Sequence, residues 1–171
     1  MSVLGRTNSA QRDYQEVQLH YVQRGIQTFA LISPPLAVLS QLRRPTFRFT
    51  PIFRATGIAT FGVGSAIGAG LGWATMRGMN DEGVVRKATK IKTDANQRRE
   101  DDYAFIGGAL GALTSTAILL RRVPIPWTLT GGAALGVAGG VLTHLSKLTR
   151  EGKNEKVNEW VDKVKEIIDD D

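Results

Sequence analysis

The side chains that carry most protein chemistry are scarce in this sequence and stand apart from one another. There is no cysteine, which excludes disulfides, thiolate metal sites and a cysteine nucleophile. Histidine occurs twice, as His20 and His144, whereas a metal centre wants several converging ligands. Ser33, Ser65 and Ser115 lie in apolar stretches with no base or carboxylate to activate them. The glycine runs invite a nucleotide-loop reading, but none fits GxGxxG or GxxxxGK[ST] and none follows a strand. The expectation is a protein that is not an enzyme, with no catalytic residue, no cofactor and no metal.

What the residue types and spacing do support is close packing. Gly64, Gly68 and Gly72 stand four apart, Gly107 and Gly111 repeat the step with Ser115 after them, and Gly132, Gly136 and Gly140 repeat it again. Residues four apart share a helix face, and a face of glycine lets another helix backbone approach closely, which is how helices associate in lipid. These eight glycines are the expected helix-packing residues of a glycine zipper.

Such a face needs long apolar helices to carry it. The chain has 171 residues, of which 42% are apolar, but they are concentrated in four blocks. The clearest is Ala55 to Met76, twenty-two residues without a charge, six of them glycine. As a helix it rises about 33 Å, enough to cross a hydrocarbon core of roughly 30 Å. In water so many glycines would make a poor helix, at about 1 kcal/mol each relative to alanine. Three further blocks, 26–42, 103–120 and 125–145, are expected to span as well, the first interrupted by Pro34 and Pro35 and the last two joined as a hairpin by the short RRVP connection. The expected fold is an all-α membrane protein: a surface arm over 1–25, a four-span domain over 26–146, and a tail over 147–171.

The polar segments fill in the rest. Residues 9–24 read as a short amphipathic helix at the headgroups, with Ser9 as cap, Tyr14, Val17 and Tyr21 on one face, and Gly25 as its stop. The stretch Arg77 to Asp102 reads as a polar loop, helical in part between Glu82 and Arg99. In the tail, Asn154 is placed to cap an amphipathic helix whose Val157, Trp160, Val161, Val164 and Ile168 recur at steps of three and four, a face suited to a protein partner. The net charge of +6 does not suggest nucleic acid, because basic and acidic residues alternate and no basic stripe with interleaved aromatics emerges.

Charge also predicts orientation. The two short connections carry Arg43, Arg44, Arg48, Arg54, Arg121 and Arg122 with no acidic neighbour, whereas the termini and the long loop mix cations with acids. The positive-inside rule places the short connections inside and both termini outside. Arginines interleaved with Phe47, Phe49 and Phe53 suit the headgroup layer, so these six arginines are the expected lipid-headgroup residues, with a bound phospholipid such as cardiolipin as their ligand.

The junction of the long loop with the next span carries a family resemblance. Arg98 and Asp102, followed by Gly107 and Gly111, resemble the loop-to-span motif of the mitochondrial inner-membrane preprotein translocase family. Within that family, GAGLGWATMRG, REDDYAFIGGALGAL and GGAALGVAGGVLTHLSKLTREG look like the four-helix accessory subunit of the membrane arm of respiratory complex I, over about residues 60 to 152. The resemblance implies an inner-membrane, multi-pass subunit of NADH:ubiquinone oxidoreductase with both termini in the intermembrane space. It also implies that the subunit contributes no redox centre, holds core and accessory neighbours together, and contacts a neighbouring complex in a supercomplex. Two other readings of the same residues are a component of an inner-membrane protein translocase and a self-assembling glycine-zipper organiser.

Overall fold

The computed structural model describes residues 8–43 and 46–169, with side chains for 11–43 and 46–152. The described residues form five continuous helices: α1 (Asn8–Leu42), α2 (Phe49–Arg77), α3 (Asp81–Thr93), α4 (Ala95–Leu119) and α5 (Ile125–Asp169). Four of them contain stretches long and apolar enough to cross a membrane: Gln11–Leu42, Phe49–Arg77, Ala95–Leu119 and Ile125–Gly152.

The distribution of side-chain size fits lipid as the surrounding solvent. The cluster where α1, α4 and α5 meet consists of Ala30, Ala104, Val137 and Val141, all small and all buried. The large apolar side chains point outwards, with Phe105 77%, Ile118 72% and Leu113 66% exposed. A water-soluble bundle would bury such residues at about 1.5–3 kcal/mol each.

Helix α1 differs from the sequence expectation. Gly25 does not stop it, Ser9 lies within it rather than capping it, and Pro34 and Pro35 are both inside it. The reason for Gly25 is spatial: a Cβ there would fall on the carbonyl oxygen of Gly64. The glycine is a point of helix contact, and the turn-forming freedom of the residue is not used. The 32 residues from Gln11 to Leu42 rise about 48 Å, well beyond a core of roughly 30 Å, so α1 projects past the span at one end.

The projecting part is covered by the long polar segment, which was expected to be helical in part between Glu82 and Arg99. Helix α3 begins at an Asn80 cap, whose side chain accepts from the Gly83 amide at 3.0 Å. Asp81 and Glu82 in its first turn and Lys90 and Lys92 in its last complement the helix dipole. Val84 and Ala88 pack on Val17, flanked by Tyr14, Tyr21, Met76, Met79 and Ile91. The apolar face of residues 9–24 therefore meets α3 and not the headgroup layer. Asp94 ends α3 and caps α4, accepting from the amides of Asn96 at 3.0 Å and Gln97 at 3.2 Å.

Helices α1 and α2 run antiparallel, as do α4 and α5. Residues Ile58–Gly64 of α2 are π-helical. In a straight α-helix Gly57 and Gly64, seven apart, would share one face. The wider turn changes the phase between them, and Gly57 meets Thr130 of α5 while Gly64 meets α1. In the tail, Gly152 and Asn154 lie inside α5 and not at a boundary, since the helix continues unbroken to Asp169.

Candidate functional site

The eight glycines singled out by spacing all lie at contacts between helices. Along α1 and α2, a Cβ on Gly64 would stand 2.9 Å from the Gly25 carbonyl oxygen, one on Gly68 would stand 2.8 Å from the Val22 Cα, and one on Gly72 would stand 2.7 Å from Gln18 Oε1. Along α4 and α5, Gly107 and Gly111 face Gly136, Gly111 and Ser115 face Gly132, and Gly140 lies against the backbone of Tyr103. Two β-carbons do not fit where glycine meets glycine, so these positions fix how closely the backbones lie.

A third contact was not legible from spacing. Gly131 of α5 lies against the backbone of Phe53 in α2, where a Cβ would be 2.7 Å from the Phe53 Cα. With Gly57 against Thr130, this joins the α1–α2 pair to the α4–α5 pair. Neither Gly57 nor Gly131 belongs to the three-fold four-residue series, and Gly25 is an isolated glycine in a polar stretch. Nothing in their neighbourhood marks them.

Polar contacts add direction to the packing. At the α3 end of the bundle the Arg24 guanidinium pairs with the Glu100 carboxylate, and Gln27 Nε2 donates to Asp101 Oδ1 at 2.7 Å. One turn further out, Gln97 is hydrogen-bonded to the His20 ring. Gln27 is 3% exposed, so its amide needs that partner. His20, Arg24 and Gln27 occupy one face of α1, and Gln97, Glu100 and Asp101 one face of α4, both at steps of three and four. The periodicity was readable in sequence; the pairing of the two faces was not. Deeper in the bundle the hydroxyls of Ser33 and Thr60 meet at 2.9 Å, and Thr116 donates to Thr128 at 3.3 Å.

At the other end stand the arginines of the short connections. Arg43, Arg48, Arg54, Arg121 and Arg122 are exposed, and Arg44 lies outside the described residues. The guanidinium of Arg54 lies 5.3 Å from the centre of the Trp127 ring, which brings the two connections to one end of the bundle. A cation on an indole is a favourable headgroup-level contact. The side chains of Val157, Trp160, Val161, Val164 and Ile168 lie outside the described residues.

Among the described residues no three metal-ligating side chains converge. His144 is buried on α5 beside Tyr103, their rings 5.7 Å apart. What the arrangement does chemically is adhesive: backbone meets backbone along the glycine faces, and one ion pair and its neighbouring amides lock α1 to α4.

A family model described as "Protein of unknown function (DUF1757)" matches residues 8–148, from the first turn of α1 to the part of α5 that follows the last glycine contact. No curated protein matches the chain.

Proposed function

The chain belongs to the DUF1757 family, and from its helix contacts we propose that it is a non-catalytic accessory subunit of a large membrane complex, packed by glycine zippers within itself and against neighbouring subunits. The complex we propose is the membrane arm of mitochondrial NADH:ubiquinone oxidoreductase in the inner membrane. This reading is supported by the loop-to-span resemblance at Arg98, Asp102, Gly107 and Gly111 and by the arginine asymmetry of the connections.

The observation that carries the adhesive part is a set of glycines left over after the bundle is packed. Gly62 meets only Ile58 of its own helix, and Gly70 and Gly139 have nothing within reach. Gly62 and Gly70 lie on α2 with Ala66 between them at the four-residue step, and all three are exposed. The inner faces are already occupied, so this outer one is available to a neighbour's backbone.

Native electrophoresis of mitochondria in mild detergent tests the reading. The expected outcome is co-migration with NADH dehydrogenase activity, and loss of that co-migration on Gly70→Leu with the isolated chain still helical. Migration in a smaller complex that holds arrested preproteins would overturn it. Gly68→Leu serves as the contrast, because Gly68 lies against Tyr21 and Val22 of α1 and its substitution acts on the bundle itself.

A further inference from the structure

At the α3 end of the bundle, away from the arginine connections, an open cleft of about 250 Å³ lies between α4 and α5, lined by Arg99, Tyr103, His144, Lys147, Leu148 and Glu151. It is smaller than the roughly 300–1,000 Å³ of pockets that enclose whole ligands, a size suited to one headgroup. Two cations face one acid across it. Lys147 donates to the Tyr103 hydroxyl and lies 4.8 Å from the centre of that ring, which fixes the ammonium at the cleft wall with donors to spare. Arg99 is exposed and makes no ion pair with the described residues.

His144 brings a polar ring to the same cleft. It is only 4% exposed, yet its ring nitrogens have no hydrogen-bond partner among the described residues, and its ring forms part of the cleft lining. From the cleft lining its ring can donate a hydrogen bond to whatever enters or accept one from it.

We propose that this cleft binds the phosphate of an anionic membrane phospholipid, with Arg99 and Lys147 as its cations and His144 as a hydrogen-bond partner. The helix faces beside the cleft supply the reason for a lipid rather than a free phosphate. Below Arg99 and Tyr103, the α4 face continues at steps of three and four through Ile106 and Leu110, which are 57% and 59% exposed. On α5, Leu148 lines the cleft and Leu145, three residues before it, is 51% exposed. A headgroup held in the cleft would lay its acyl chains along these side chains. The inference rests on the membrane reading, and it adds a lipid site at the end of the molecule opposite the six arginines.

The test is photocrosslinking of the full chain in mild detergent with a phosphatidylglycerol that carries a diazirine near its glycerol, the adducts being located by peptide mass spectrometry. Adducts are expected around Tyr103 and Leu148, competed by excess phosphatidylglycerol but not by phosphatidylcholine or inorganic phosphate. Arg99→Gln combined with Lys147→Gln is expected to raise the half-saturating concentration about twenty-five-fold, roughly fivefold for each cation. Both side chains are exposed, so the bundle is expected to keep its helical circular dichroism. His144→Phe, which keeps an aromatic ring beside Tyr103, is expected to weaken labelling as well.

Wild-type labelling of the double variant would overturn the proposal, as would equal competition by phosphatidylcholine. Equal competition by inorganic phosphate would replace the lipid with a free anion. Carbonate extraction of the same membranes separates this from the larger reading. A chain washed off by carbonate refutes the spans, whereas a chain that resists it and labels normally as the double variant refutes only the cleft.

Discussion

At Gly136 a single added carbon would lie on the Gly107 carbonyl oxygen, with the Cα of Gly111, on the same helix as Gly107, 2.9 Å away. Three residues on, at Gly139, it would meet nothing within 4 Å. The two positions share a helix and an amino acid but have opposite uses for it. Backbone on the receiving side cannot rotate aside as a side chain does, so Gly136→Ala must push α4 from α5, and overpacking of this kind costs about 1–3 kcal/mol. Gly139→Ala removes only the helix penalty of glycine and should be neutral or stabilising by up to about 1 kcal/mol. Unfolding of the full chain in mixed micelles, followed by helical circular dichroism as sodium dodecyl sulfate is added, measures both. Equal effects at the two sites would mean that the close approach does not hold the helices.

At the scale of elements, the sequence located the spans better than it located what joins them. The apolar blocks and the four-residue glycine steps were plain because lipid imposes both length and face on a single helix. Partner assignment was not plain, since Gly64 and Gly57 differ in neighbour only through the π-helical turn between them, and no residue type announces that turn. Helix α3 was legible as a helix but not in its packing. A helical part between Glu82 and Arg99 was expected, but nothing in the sequence said that Val84 and Ala88 would cover Val17 of α1. The same charges pin α3 in place: Lys92 pairs with Glu16 at 2.7 Å and with Asp13 at 3.2 Å, and these carboxylates hold its ammonium above the usual lysine range. A raised lysine contributes stability that is complete below the unfolded value near 10.5 and is lost only as pH climbs through the raised value. Between pH 6 and 9 the docking of α3 should therefore be insensitive to pH. Salt should loosen it, because exposed pairs are screened. Hydrogen exchange of the α3 amides checks this, with faster exchange expected in about 1 M than in about 0.1 M salt and little change in α4 or α5. Exchange that follows pH in that window would refute the assignment.

The whole molecule is polar at both ends, but the ends differ in kind. At one end cations and acids are mixed, with Arg24 paired to Glu100 and Lys92 to Asp13 and Glu16. At the other, Arg48, Arg54, Arg121 and Arg122 have no acidic partner among the described residues, and Arg54 rests on Trp127. The positive-inside rule counts lysines and arginines in short loops close to span ends, and the connections at the second end are short and rich in arginine. Orientation should follow the second end, and the lack of cysteine makes this measurable without a background. Thr93→Cys and Arg122→Cys place single thiols at opposite ends, each at an exposed position. On the inner-membrane location proposed above, a membrane-impermeant maleimide applied to mitoplasts should label Thr93→Cys at once and Arg122→Cys only after the membrane is permeabilised. The reverse pattern would turn the protein over in the membrane and place the termini in the matrix. Labelling of both without permeabilisation would mean that the four helices do not span, and the outward-facing Phe105, Leu113 and Ile118 would then need a protein surface to cover them in place of lipid.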